Sequence, residues 1–447
     1  MSLRERLARH WFAPARLRDL AYLRIALVLV LLAGSMWPGK LDQQLVRARL
    51  PAEWFVPLPA LKLLMVPFGW GARPGALLIT VMWIVCGVAG LFALVGARTR
   101  WSLALFAYAN TFLVAHLLSY GTLQHPQAPA TILLWMLLLT PCGAELSVDA
   151  MRARVSETRR SERFVPRDTM AVSADARWPM RLAQWLLVIV YLSAGVSKLV
   201  VGKGAWLNGY TMEYYLLVDG IGHQLPASLA LAHVRWLGIV SAAVTLAFEL
   251  TFVVGVLRPR TFPVYAAVGT AIHTGIYLLL RAPFFQFVAM YTAWAAPLRD
   301  ARQHPAPGDA GRVWTLVYDG FCPLCMRTMA QLDELDGSRT LRYVDLERDT
   351  ARARELIPGA SMEDLRAQMT LVPPSGAPLR GFFALRELTR RLPVLWPLVP
   401  AMFAPGAARV GTRVYAWVAK RRARTLCEGG RCAVHGGVER AAASSAS

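Results

Sequence analysis

Residues 313–329 read VWTLVYDGFCPLCMRTM, and this stretch decides the fold of the C-terminal part of the chain. Val313, Trp314, Leu316, Val317 and Tyr318 form a short β-rich apolar run. Asp319-Gly320 breaks it. Cys322-Pro323-Leu324-Cys325 follows, and Met329, Leu332 and Leu335 then recur at helical spacing. A strand, a turn and a C-x-x-C pair opening a helix suit thiol–disulfide exchange, because a helix N-terminus favours the thiolate, the attacking species. Cys322, nearer the turn and solvent, is assigned as nucleophile; Cys325, one turn in, resolves the mixed disulfide. Asp319, Gly320 and Pro323 shape the loop that carries the pair. Two other readings compete: half of a zinc site, which needs a second ligand pair, and a structural or vestigial pair. Cys427 and Cys432, spaced C-x4-C with His435 close by, are poor candidates for that second pair.

Composition places this stretch in a larger frame. Of 447 residues, 55% are hydrophobic and only 17% are charged. A soluble enzyme of this length carries more charge. The apolar excess lies almost entirely before residue 300, so a polytopic helical membrane domain is expected ahead of a soluble α/β domain. The formal net charge is +21. Its arginines sit beside apolar segments and no nucleic-acid motif accompanies them, so the charge is read as topology and as attraction to anionic lipid. No nucleic-acid partner is expected. Six cysteines do not make a disulfide scaffold, and Cys86 and Cys142 read as core residues.

About eight spans are expected from the apolar runs, at 20–37, 75–96, 101–120, 127–141, 182–201, 236–256, 262–280 and 284–298. Residues 1–19 form a basic N-terminus, and Arg24 is read as snorkelling to the headgroups. With that terminus inside, the basic connections 98–100, 151–181 and 258–260 all fall on the cytoplasmic side, as does everything after Arg299. The expected location is the bacterial inner membrane. Segment 38–74 carries cations outside, and its Trp54, Phe55 and Trp70 suggest an interfacial amphipathic stretch. Residues 299–311 read as a linker, 312–425 as the soluble domain, and 426–447 as a tail, disordered from Gly436. Leu392 to Trp417 is apolar and proline-rich, and is read as packing the soluble domain onto the membrane.

Polar residues inside the apolar part are the second focus. On spacing alone Lys198, near the end of its helix, is a snorkelling lysine. Glu249 sits inside a span and needs a partner there. His116, His125, His223, His233 and His273 read alone as helix-packing or interfacial residues.

Two resemblances add to this. Asp319-Gly-Phe-Cys322-Pro-Leu-Cys325, with Tyr343-Val-Asp345, Met369-Thr-Leu-Val372, Gly381 and Arg390-Arg-Leu-Pro393, resembles the DCC family of thioredoxin-like proteins over residues 312–425. That implies a thioredoxin-like fold and a redox-active disulfide of protein-disulfide reductase type. Thioredoxins place a cis-proline before the strand facing their active site; here Gln368-Met369 stands there. Gly195-Val-Ser-Lys198-Leu, followed by Trp206-Leu-Asn-Gly209-Tyr210-Thr-Met212-Glu213-Tyr214, resembles the vitamin K-dependent gamma-carboxylase and its HTTM relatives over residues 18–300. The carboxylase has two adjacent lysines here, the second being its catalytic base. Lys198 matches that second lysine and Ser197 replaces the first. His125, ahead of Ser147-Val148-Asp149, resembles its functional histidine, and His273 with Phe284-Phe285 a third family pattern. The resemblance implies Lys198 as base towards a quinol, with His125 orienting it; His273 and Glu249 are candidate members of that membrane site.

Three functions follow as expectations. The first is a membrane-anchored thiol–disulfide oxidoreductase acting on a cytoplasmic thiol or disulfide partner, with a lipid-soluble quinone as possible redox partner. The second is a quinol-dependent carboxylase or epoxidase relative, with the soluble domain as its reductase. The third is a membrane scaffold or transporter without catalysis. No metal is expected.

Overall fold

The computed structural model describes residues 2–121, 127–167, 171–294, 313–336, 340–421, 424–428 and 431–435. The chain divides into two compact units, one of residues 1–149 and 170–301, the other of residues 150–169 and 302–447.

The first unit is helical. An amphipathic helix α1 (Leu3–Phe12) and a short strand β1 (Ala15–Arg16) lead into α2 (Leu17–Met36). Short helices α3 (Lys40–Ala48) and α4 (Pro59–Leu64) precede α5 (Ala76–Val95), α6 (Thr99–Leu118) and α7 (Gln127–Leu137); α8 (Val148–Arg160) follows and from Ala150 on belongs to the second unit. Strand β2 (Val172–Ser173) precedes α9 (Arg177–Val200), α10 (Tyr210–Gly222), α11 (Pro226–Ala232), α12 (Arg235–Thr251), α13 (Val253–Leu257), α14 (Phe262–Leu280) and α15 (Phe285–Met290). Among the described residues, six helical stretches are long and apolar enough to cross a membrane: Leu17–Met36, Ala76–Val95, Thr99–Leu118, Ala174–Val200, Arg235–Leu257 and Pro259–Leu280. Twenty residues of helix reach about 30 Å, the thickness of the hydrocarbon core.

The expected span at 127–141 does not form as a long helix, and residues 284–294, the described part of the last expected span, do not either. Pro141 bars continuation of α7, which stops at Leu137. Helix α15 gives way to a 3-10 turn at Tyr291–Trp294. Arg24 also differs from expectation. It is fully buried and donates to the carbonyls of Cys142 (3.0 Å) and Leu146 (2.7 Å). Those carbonyls end the stretch after α7, so the guanidinium finds acceptors inside the protein and does not snorkel. Asp149, in the Ser-Val-Asp motif, caps α6, accepting from the N–H groups of Arg98 (2.9 Å) and Thr99 (2.7 Å).

The second unit is built on a four-stranded sheet. Its elements are β3 (Trp314–Tyr318), α16 (Pro323–Leu335), β4 (Leu341–Asp345), α17 (Thr350–Leu356), α18 (Met362–Ala367), β5 (Thr370–Val372), β6 (Leu379–Arg380), α19 (Phe382–Arg391), α20 (Val399–Phe403) and α21 (Ala407–Arg421). The strand order is β4-β3-β5-β6. Strand β3 runs parallel to β4, with Leu316 opposite Tyr343, and antiparallel to β5, with Leu316 opposite Leu371. This is the strand order of the thioredoxin core. Leu316, Val317 and Tyr318 are all buried, because both faces of β3 are covered; that is why the strand reads as an unbroken apolar run. Beyond it, Arg424–Glu428 (β7) and Arg431–His435 (β8) pair as an antiparallel hairpin with Cys427 opposite Cys432.

Residues 150–167, which the sequence suggests are only a basic connection, complete the second unit. Phe164 lies in its core with Trp314, Leu316 and Met329, and its ring stands 5.0 Å from Tyr343 and 5.8 Å from Tyr318. Arg154 is buried and reaches Asp333 at 3.2 Å; Arg167 reaches Glu334 at 3.0 Å. Both acids lie on the last turns of α16 and are nearly inaccessible. A buried carboxylate is costly unless a cation and hydrogen bonds meet it. In the full chain, Arg154→Met and Phe164→Ala should each destabilise the C-terminal unit by about 3–5 kcal/mol. Pulse proteolysis across a urea series measures this, and wild-type resistance in both variants would contradict the assignment.

Candidate functional site: a dithiol at a helix N-terminus

Cys322 is the N-cap of α16, and its sulfur accepts a hydrogen bond from the Cys325 N–H at 3.3 Å. Pro323 follows at the first helical position, where its missing N–H costs nothing. The helix N-terminus directs its free N–H groups and positive dipole end at that sulfur. Asp319 closes the loop: its carboxylate accepts from the Phe321 N–H at 3.0 Å, and its carbonyl accepts from the Cys322 N–H at 3.3 Å. Gly320 is there for space. A Cβ on it would lie 2.1 Å from Asp345 Oδ1, at the end of the neighbouring strand.

The two cysteines are not joined as a disulfide here. Their exposure reverses the expectation: Cys322 is 0% exposed and Cys325 is 9%. The N-cap role turns the Cys322 side chain back over its own helix and into the apolar cluster with Leu316 and Met329. Its case as nucleophile rests on the helix-end hydrogen bond, not on access. Cys325 faces a cavity of about 400 Å³, whose almost wholly apolar wall includes Met329, Met369, Phe382, Tyr415 and Val418. Met369 thus stands at the thiol where thioredoxins carry proline, and its N–H donates to the Tyr415 hydroxyl at 3.1 Å. Nothing in the local sequence around the cysteines pointed to Tyr415 or Phe382; the fold brings them in from far along the chain.

Electrostatics at the loop is set by Asp345. Burial, opposed by the Glu347 N–H and by Arg348, pushes its carboxyl above the ordinary value. Tyr318 is pushed up as well, by burial first and then by Asp345. A carboxyl raised on folding contributes stability that is present below its unfolded pKa and is lost as pH rises through the folded one. Asp345→Asn should therefore be more stable than the wild type at neutral pH. The gap should close as pH falls below about 4, where both side chains are neutral. Thermal unfolding of the two proteins across pH checks this, and a gap that widens on acidification would contradict it.

The membrane unit brings together Lys198 and Glu249. Lys198 Nζ donates to both carboxylate oxygens, at 2.6 and 2.7 Å, and stands 4.8 Å above the Trp206 ring. The lysine has a specific partner rather than a lone position at the headgroups. Gly195 allows this approach, since a Cβ there would meet Leu250 at 2.9 Å and the Glu249 Cβ at 3.2 Å. His273 belongs to a different group: its Nε2 shares a hydrogen bond with the Tyr191 hydroxyl at 2.8 Å, and Tyr191 bonds Tyr291 at 2.8 Å. Phe284 stacks on the His273 ring at 5.6 Å. His125 lies outside the described residues. Among the described residues no group of three His, Cys, Asp or Glu side chains could hold a metal ion.

Lys198→Met leaves Glu249 without its ammonium and should destabilise the membrane unit by about 3–5 kcal/mol, most of it restored by the double change Lys198→Met with Glu249→Gln. Lys198→Arg should retain the fold, because arginine keeps the charge and the pair. Detergent-dependent thermal unfolding of the variants reads this out. A double variant no more stable than Lys198→Met alone would show that the two residues do not act as a pair.

These features define a polytopic helical membrane protein with a thioredoxin-like dithiol domain. The chain belongs to the HTTM family: its residues 19–295 match the HTTM domain. Residues 316–428 match the DCC1-like thiol-disulfide oxidoreductase domain. Together the two domains support a redox function at a membrane. No curated protein and no solved structure matches the chain.

Proposed function

We propose that the chain is a membrane-anchored thiol–disulfide oxidoreductase that works through Cys322 and Cys325. The observation that carries this reading is the Cys322 sulfur on the end of α16, accepting the Cys325 N–H. As thiolate, Cys322 attacks one sulfur of a substrate disulfide. The substrate S–S bond breaks, a mixed disulfide forms, and the departing thiolate takes a proton. Cys325 then loses its proton and attacks the Cys322 sulfur, which releases the second substrate thiol. The substrate gains two electrons and two protons, and the pair becomes a disulfide. In this reading Lys198 serves the fold through its pair with Glu249, whose two carboxylate oxygens both meet Nζ.

A lipid-soluble quinone is the redox partner this reading favours for the membrane unit. His273, whose buried Nδ1 has no hydrogen-bond partner among the described residues, and the ring of Phe284 fit such a group. When bound, it supplies a two-electron, two-proton couple soluble in the bilayer.

The proposed location is a cytoplasmic membrane, with the N-terminus and the dithiol unit inside. Ala15–Arg16 pairs with Val172–Ser173, and Arg177 and Arg181 donate to the His10 carbonyl, so the N-terminal arm and residue 172 share a side. Residues 150–167 belong to the same compact unit as β3 to β6, which supports one side for those as well. Even numbers of crossings must then separate residue 16 from 172, and 173 from 313. Three long helices fall in each interval, so α7 and the α15 region supply the fourth crossing of each. Both are shorter than a usual span, which is tolerated where protein covers the backbone. The arginine-rich connections then all face inward.

The test is chemical trapping. Cys325→Ser should accumulate mixed disulfides, visible as adducts that collapse on reduction. Cys322→Ser should form none and should lose reduction of a model disulfide entirely. Equal adduct yields from the two variants would remove the nucleophile assignment.

A further inference from the structure

We propose that residues 393–421 form a face that docks the C-terminal unit on an anionic bilayer surface. This face borders the cavity beside Cys325 but does not depend on thiol chemistry. It is apolar and open. Val394, Trp396 and Leu398 are 49%, 58% and 51% exposed, and on α21 Val410, Val414 and Trp417 are 63%, 54% and 55% exposed. Those last three are spaced i, i+4 and i+7, a single stripe along the helix. The opposite side of α21 is anchored. Gly411 lies against the Phe382 ring so closely that a Cβ would come within 2.1 Å of it, and Tyr415 holds the Met369 N–H. The stripe is thus presented by a fixed helix.

Charge identifies the occupant. Residues 393–421 contain no Asp or Glu, while Arg409, Arg413, Lys420 and Arg421 are all exposed. Cations sit on the aromatic rings of this region: Arg421 lies 3.9 Å from the Trp417 ring centre, and Arg390 lies 4.5 Å from that of Phe403. Tryptophan bodies with cations beside them are the composition of a segment that lies in the interface, rings at the acyl boundary and charges at phosphate. A protein partner with a plain apolar groove would not call for four cations and no acid. The bilayer is also present at high effective concentration, because the same chain carries six helices long enough to cross it. Val414 and Val418 belong to both the exposed face and the wall of the cavity beside Cys325. Docking therefore sets one wall of that cavity against lipid.

Photocrosslinking of the full chain in vesicles tests this. The probe is a phosphatidylglycerol with a diazirine near the top of one acyl chain, compared with the same probe on phosphatidylcholine, and labelled peptides are mapped by mass spectrometry. Labelling of 393–421 should exceed that of the exposed helix Thr350–Leu356 several-fold, and should be stronger with phosphatidylglycerol. The combined change Arg409→Gln, Arg413→Gln and Lys420→Gln should erase the headgroup preference while labelling of the Ala76–Val95 helix stays unchanged. Labelling of 393–421 no higher than that of 350–356 would overturn the proposal. So would equal labelling of 393–421 by the phosphatidylglycerol and phosphatidylcholine probes.

Discussion

Two acids on one helix constrain most of this architecture. Asp333 and Glu334 are buried near the C-terminal end of α16, the helix whose N-terminus carries the dithiol. Water cannot stabilise them there, so cations must. The cations, Arg154 and Arg167, come from a segment lying between two membrane helices in sequence. Hence the redox unit is discontinuous, and the chain enters it twice. Phe164 fills its core from the same segment. The redox helix is thereby fixed at one end by ion pairs and at the other by the Cys322 cap, leaving its N-terminal turn in a set position relative to the strands. The exchange chemistry proposed for the pair needs that order, because the sulfur to be attacked and the helix end that stabilises it must keep their geometry through two successive displacements.

The membrane unit handles its buried charge in the same manner. Arg24 spends its donors on backbone carbonyls, Arg18 meets Glu145 at 2.9 Å, and Lys198 meets Glu249. In a bilayer an ionisable side chain is tolerated when its partner is built in. Each of these pairs also joins distant parts of the sequence, so they fix which helices are neighbours as well as neutralising charge.

Features set by contiguous residues are legible in the sequence, and those set by distant residues are not. The β-run, the Asp-Gly break and the C-x-x-C opening a helix are contiguous, and strand β3, the loop and α16 formed as that pattern implies. The long apolar helices were legible for the same reason. Helix α7 was read too long because an apolar composition does not show where Pro141 halts the backbone. Arg24 was misread because its acceptors lie 118 and 122 residues away. The role of 150–167 was hidden by a stronger signal, its arginines, which also satisfy a topology rule; the one hint was the apolar Phe164-Val165 inside the basic run. Arg154 finds Asp333 across 179 residues, a separation that no periodicity reports. Lys198 and Glu249 were each singled out, but their pairing depends on the packing of α9 on α12. The burial of Cys322 was missed because a cap residue's direction follows from the hydrogen bond it makes rather than from its place in the turn.

The central claim is that Cys322 and Cys325 form one reversible two-electron couple. It is tested most directly by equilibrating the full-length protein in glutathione buffers of graded potential, then quantifying dithiol and disulfide in the peptide that spans both cysteines. A single transition is expected, with the slope of a two-electron couple, about 30 mV for each tenfold change in ratio, and with the loss of two hydrogens confined to that peptide. A pair that stays reduced throughout, or that oxidises only through bridges to other cysteines, would contradict it.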